Sequence, residues 1–305
     1  MSSYNEEEYE NLKNSKFKQQ KLPGWRPLPS MLRTVIIFFI FAIIFLCLGG
    51  LLIYFSFDIV DQEVIYSNIS DSKSFAHEFT INKTLKKPIM VYYELHGFYQ
   101  NHHKYMHSKS EKQLRGENIS KEEAENVCNS FTNKDMDKSI SVTNSPLNEQ
   151  DVAIPCGLIG KSYFNDNFKN WKINGEILNV DSTNISREYD RTKRYKDIDL
   201  SKQWISMTDE HFMVWMRPSP LPNFRKLWGR IKDRDIEKGS TISLEIENNF
   251  NVSAINGSKY IIFTTVNIFG GNNFYLGISY IVFGLICIIL AINFMVWFKK
   301  KEKKD

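Results

Sequence analysis

Val35–Phe57 reads VIIFFIFAIIFLCLGGLLIYFSF, 23 residues without a charge. A helix rises about 1.5 Å per residue, so this run outreaches the roughly 30 Å hydrocarbon core of a bilayer. A second run, Phe274–Phe298, has 25 residues and again no charge. Both read as transmembrane helices. The first is too long, and too far from the N-terminus, for a cleaved signal peptide. The second carries only Ser279 and Asn293 besides its tyrosines, too few polar residues for one face of a core helix.

Charge orients the two spans. Lys13, Lys16, Lys18, Lys21, Arg26 and Arg33 precede the first, and Lys299, Lys300, Lys301, Lys303 and Lys304 follow the second. Asp58, Asp61 and Glu63 stand at the other end of the first span. The positive-inside rule then puts both termini in the cytoplasm. The expected plan is a cytoplasmic tail at 1–34, spans at 35–57 and 274–298, a short cytoplasmic tail at 299–305, and an exoplasmic domain at 58–273. That domain has 216 residues, enough to bury a core.

The tails hold 11 basic and 6 acidic residues, which leaves 28 basic and 29 acidic for the rest of the chain. The exoplasmic domain is thus near neutral, and no basic patch points to nucleic acid. The tail lysines read as topology signals and as contacts to anionic membrane lipids. Lys301-Glu-Lys303-Lys-Asp305 also resembles a dilysine retrieval signal, although a basic stop-transfer flank is the simpler reading. Cys47 and Cys287 lie in the spans; Cys128 and Cys156 are the two in the exoplasmic domain. An oxidising compartment favours a Cys128–Cys156 disulfide over two free or separately paired thiols. Sequons at Asn68, Asn82, Asn118, Asn184, Asn251 and Asn256 all fall in this domain.

The same domain reads as antiparallel β structure with short helical insertions. Ile89–Tyr93, Ser240–Phe250 and Tyr260–Ile268 read as strands from their β-branched or alternating residues. Asn256–Gly257 signals a hairpin turn between the last two, and Asn174–Gly175 another within Trp171–Val180. Ser120-Lys-Glu-Glu123 has capping-box spacing, with a helix over Glu122–Phe131. The three prolines of Arg217-Pro-Ser-Pro-Leu-Pro222 favour an extended stretch. The N-terminal tail lacks periodicity and is expected to be extended.

A catalytic constellation is not found. No phosphate-binding loop, GxGxxG or nucleophile elbow occurs. His102, His103 and His107 form the densest cluster, but no Cys or carboxylate stands at ligand spacing, so surface histidines are the favoured reading. No cofactor, metal or enzymatic activity is expected. Gly277, Gly284 and Ala291 recur every seven residues and form a small-residue stripe for another helix, and Gly49–Gly50 can bend or pack. Without ionisable residues, two spans form no ion pathway, so a transport role would need another chain.

Several words of sequence carry a resemblance. They are Phe17-Lys-Gln-Gln-Lys-Leu-Pro-Gly-Trp25-Arg-Pro27, Phe98-Tyr-Gln-Asn-His102, Gln113-Leu-Arg-Gly116, Pro155-Cys-Gly157, Ser162-Tyr-Phe-Asn-Asp166, Trp215-Met-Arg217, Leu221-Pro-Asn-Phe-Arg-Lys-Leu-Trp-Gly-Arg-Ile231, Asn248-Asn-Phe250 and Gly270-Gly-Asn-Asn-Phe274. In this order, from about Phe17 to Trp297, they resemble the Cdc-fifty family, also called ligand-effect modulator proteins. The resemblance implies a non-catalytic β-subunit of a type IV P-type ATPase that moves phospholipid, bound as a heterodimer. Such a subunit supports assembly, exit from the endoplasmic reticulum toward Golgi, endosome or plasma membrane, and the transport cycle. The ATPase could itself be fused to a cyclase. The resemblance also implies the Cys128–Cys156 pair, a glycan at Asn82, and partner contacts at Trp25, Phe224, Arg225, Trp228, Gly277, Gly284 and Ala291. The chain departs from the family pattern in three places. Ser67–Phe79 lacks a cysteine group, Asn165-Asp-Asn167 is not a sequon, and Pro218-Ser-Pro220 adds prolines. A free-standing receptor or adhesin is the alternative from another class, and an ectoenzyme using the histidines a weaker third.

Overall fold

The computed structural model describes residues 6–21, 30–67 and 73–302. Trp25, Asn68 and the end of the dilysine-like tail, 303–305, lie outside the described residues.

One unit comprises Met1–Ile53 with Phe274–Asp305. It holds helices α1 (Glu6–Asn14), α2 (Met31–Phe57, whose last turn belongs to the other unit) and α8 (Phe274–Glu302). Helix α1 corrects the expectation of an extended tail. Its sequence EEEYENLKN lacks an apolar stripe, but Glu, Leu and Lys are strong helix formers. Lys13 in its last turn complements the helix dipole. Helix α2 begins four residues before its apolar run and α8 ends four residues after its own, because the flanking polar residues continue the helix.

The two long helices pack antiparallel. Phe38 stacks on Phe294 with ring centroids 5.9 Å apart, and Phe45 on Tyr280 at 5.8 Å. Along the same seam the helices approach through small residues. A Cβ on Gly277 would lie 2.6 Å from Ile53 and 3.1 Å from the Gly49 carbonyl oxygen. One on Gly284 would lie 2.9 Å from Leu46 and 3.3 Å from the Ala42 carbonyl oxygen. Ala42 and Ala291 are buried. Close backbone approach of this kind requires small side chains.

The second unit, Tyr54–Asn273, is the β domain. Its strands are β1 (Asp61–Ile65), β2 (Ser74–Thr80), β3 (Ile89–His96), β4 (Asn167–Ile173), β5 (Glu176–Ile177), β6 (Phe224–Ile231), β7 (Thr241–Glu247) and β8 (Ser258–Thr265). They form two antiparallel sheets, ordered β1-β8-β3-β6 and β2-β7-β4-β5. β3 and β7 alternate buried and half-buried residues, as a sheet with one face on a core must. Aromatic side chains bridge the sheets: Phe263 of β8 meets Phe79 of β2 and Trp171 of β4, and Phe168 of β4 meets Trp228 of β6.

The Asn174–Gly175 hairpin forms as expected, joining β4 to β5 with both turn residues at positive φ. Asn256–Gly257 does not make a hairpin. Asn256 is left-handed, but β7 and β8 belong to different sheets, so the turn redirects the chain between layers. Local turn chemistry is the same in both cases; sheet membership is set by distant partners.

Short helices decorate the sheets: α3 (His103–His107), α4 (Glu111–Leu114), α5 (Lys121–Val127), α6 (Leu158–Lys161) and α7 (Glu210–Trp215). The Ser120 hydroxyl accepts a hydrogen bond from Glu123 N at 3.2 Å, as the capping box requires. Helix α5 stops at Val127, short of the expected Phe131, because Cys128 turns extended to reach its partner. Cys128 and Cys156 form a disulfide with Cα atoms 6.0 Å apart. It is buried with Ala124, Met136 and Ala153. Gly157 beside it is irreplaceable, since its φ is 109° and a Cβ would lie 2.1 Å from the Ser108 carbonyl oxygen.

Candidate partner interface

The word Leu221–Ile231 places β6 at the edge of its sheet. Strand alternation then decides what each residue can touch. Phe224 points inward, is 6% exposed, and packs in an aromatic cluster with Phe98 and Trp215. Trp228 is half-buried between Phe168, at 4.8 Å, and His211, at 4.1 Å. Both were expected at a partner surface; the structure spends their apolar area on the domain's own core instead. Arg225 points outward and is exposed, bridging Glu94 at 3.2 Å and Asp61 at 3.6 Å. Of the three, Arg225 is the one a partner can reach.

The stripe of Gly277, Gly284 and Ala291 is likewise used inside the chain, against α2. A partner helix would meet the outer faces of α2 and α8, which carry exposed Ile, Leu and Phe side chains.

Two loops that sequence reading did not join lie side by side. Phe98 N donates to Pro222 O at 3.1 Å, Ser219 N to Gln100 Oε1 at 2.9 Å, and Asn101 Nδ2 to Pro220 O at 2.9 Å. Gly97 N donates to Asn223 Oδ1 at 3.2 Å. Pro220 and Pro222 suit this arrangement, since each is held through its carbonyl and needs no N–H. The stitched pair presents Tyr99 and Leu221, each 64% exposed. Large apolar side chains held out on braced loops are what a partner surface needs. The signal was present in two separate words, but only the fold brings them together.

Behind these loops, several of the family-like words converge on one polar node. Asp166 Oδ2 accepts from Lys259 Nζ at 2.6 Å and from Tyr66 OH at 2.8 Å. Asp166 Oδ1 accepts from the backbone N–H groups of Asn249 and Phe250, both at 2.6 Å. Lys259 Nζ also donates to Asn248 Oδ1 and to Phe250 O. Lys259 is 1% exposed and Asp166 2%. Burial lowers the Lys259 pKa while Asp166 opposes the shift; burial, then Asp166, raises that of Tyr66. The node ties β8, the segment after β1 and the loop after β7 together, a positioning role. A second buried ammonium, Lys226, donates to Val214 O at 3.3 Å and to Arg217 O, covering the C-terminal end of α7. Burial, helped by Arg217, lowers its pKa to about 8.

His103 and His107 meet on one face of α3, their rings tilted by 50° with centroids 4.5 Å apart. Among the described residues no group of three or more His, Cys, Asp or Glu side chains is placed to hold a metal ion. The sequon residues Asn82, Asn118, Asn184, Asn251 and Asn256 are all exposed.

Two long apolar helices on either side of an antiparallel two-sheet domain define a membrane-anchored β protein. The family described as LEM3 (ligand-effect modulator 3) family / CDC50 family matches residues 4–304, and the chain belongs to it. It is 31% identical to "ALA-interacting subunit 3" of Arabidopsis thaliana, over 96% of this chain and 87% of that protein. It is 27% identical to "Cell cycle control protein 50B" of Homo sapiens, over 96% and 95%. Its identity to "Phospholipid-transporting ATPase accessory subunit CDC50" of Chaetomium thermophilum is 29%, over 78% and 63%.

Proposed function

We propose that this chain is the non-catalytic accessory subunit of a phospholipid-transporting P-type ATPase of type IV, with which it forms a heterodimer. The family match over residues 4–304 carries this reading, because it spans both membrane helices and the whole β domain rather than one module. A relative covered over most of this chain is named as such an accessory subunit. The charge distribution supports cytoplasmic termini and an exoplasmic β domain, with glycans on the exposed sequons.

In this reading the ATPase supplies nucleotide chemistry and the lipid path, and it is either a separate chain or one fused to a cyclase. The accessory chain binds over a large area. Tyr99 and Leu221 anchor exoplasmic loops of the partner, Arg225 adds a charged contact at the rim, and the lipid-facing sides of α2 and α8 meet partner helices. The Trp25 segment adds a contact near the cytoplasmic face. Assembly then licenses exit from the endoplasmic reticulum and onward traffic. Removing this chain from cells tests the reading: the ATPase should stay in the endoplasmic reticulum and lose abundance, and lipid uptake should fall. Unchanged ATPase abundance with unchanged uptake would overturn it.

A further inference from the structure

A cavity of about 520 Å³ lies beside the last residue of α2. Its wall is formed by Asp58, Ile59 and Val60 just after the helix, by Val266 just after β8, and by Lys86 and Lys87 just before β3. The wall is built rather than incidental. Val60 N donates to Thr265 Oγ1 at 2.9 Å and Thr265 N to Val60 O at 3.1 Å. The lysine segment is braced by the Leu85–Ile236 bridge and by Lys87 N donating to Asp235 Oδ1 at 2.8 Å.

The chain itself fixes the depth of this cavity. Phe57 ends an apolar membrane helix, and Asp58–Val60 can travel no more than about 10 Å from it. That reach spans the headgroup layer, roughly 5–8 Å on each side of the hydrocarbon core. The chemistry is two-sided. Ile59, Val60 and Val266 give half-buried apolar surface. Lys86 and Lys87 are exposed, and among the described residues neither ammonium lies within ion-pair distance of a carboxylate. Asp58 is the single acid on the wall, so one positive charge remains in excess.

We propose that this cavity binds the headgroup of an anionic phospholipid from the leaflet on the β-domain side. Lys86 and Lys87 hold its phosphate and acidic group, and the glycerol region rests on Ile59, Val60 and Val266. The inference rests on the membrane reading of α2 and not on the identity of the partner.

The test uses the full chain with its co-purified partner in lipid nanodiscs. A phosphatidylserine analogue with a photoreactive headgroup is crosslinked, and labelled peptides are read by mass spectrometry. Labelling is expected in peptides covering residues 57–60, 84–87 and 265–267. It should fall about thirtyfold in Lys86→Gln/Lys87→Gln, which removes two lysine charges, and hold in Lys83→Gln outside the cavity. Unlabelled phosphatidylserine should compete; phosphatidylcholine and soluble glycerophosphoserine should not. Labelling unchanged in the double variant, or competed equally by phosphatidylcholine or by the soluble headgroup, would overturn the proposal. Partner recovery from the same preparation reports separately on the accessory-subunit reading.

Discussion

Replacing Asp166 with Ala removes the one carboxylate that Lys259, Tyr66 and two backbone N–H groups share. The Lys259 ammonium would remain almost wholly buried, with only the Asn248 and Phe250 oxygens as partners. Removing one member of a buried ion pair costs about 3–5 kcal/mol, because the other charge is left uncompensated. A domain of this size loses roughly 2–4 °C of melting temperature per kcal/mol, so Asp166→Ala should lower the melting point by about 6–20 °C. Thermal unfolding of the full chain in mild detergent, followed by tryptophan fluorescence, measures this. Lys259→Met should also destabilise, and Asp166→Ala/Lys259→Met should be about 2 kcal/mol better than the sum of the two single changes, since no charge is then stranded. A shift below about 2 °C for Asp166→Ala, or strict additivity in the double variant, would refute the role given to this node.

Gly277→Leu should separate α2 from α8 and sharply lower the yield of folded protein, whereas Gly50→Leu should be tolerated, because nothing lies within 4 Å of a Cβ there; size-exclusion profiles in detergent compare the two. Lys226 is held at a pKa of about 8 against its usual 10.5, so the unfolded chain binds more protons between these values and stability should rise with pH across that window. From pH 7.5 to 9.5 the gain is about 2 kcal/mol, and it should be absent in Lys226→Met when the two melting curves are compared. Glycosidase treatment should shift the chain by one step for each occupied site among Asn68, Asn82, Asn118, Asn184, Asn251 and Asn256, with Asn82→Gln removing one step and Asn165→Gln none. Tyr99→Ala/Leu221→Ala should leave the melting point within about 1 °C but reduce recovery of the ATPase; unaltered recovery would remove these loops from the interface.

The spans, the capping box at Ser120 and the Asn174–Gly175 hairpin were legible because their signals are local: an apolar length, a three-residue spacing, two residues with positive φ. The division into two sheets was not. β7 and β8 are consecutive in sequence, yet β7 pairs with β2 and β4 and β8 with β1 and β3, all distant in the chain. The same limit hid the node, whose Asp166 and Lys259 are 93 residues apart. It also hid that Phe224 is buried and Trp228 half-buried within the domain. An aromatic residue in a recognisable word serves a core or a partner equally well until strand orientation assigns its face. The glycine stripe on α8 packs against the chain's own first span, which the spacing of its small residues alone does not specify.

The most direct test of the account is purification of this chain from its native membrane in mild detergent, with the co-purifying chains identified by mass spectrometry. The account predicts a P-type ATPase in roughly one-to-one ratio. Recovery of the chain alone, in a detergent that keeps known phospholipid-transporting ATPase complexes together, would contradict it.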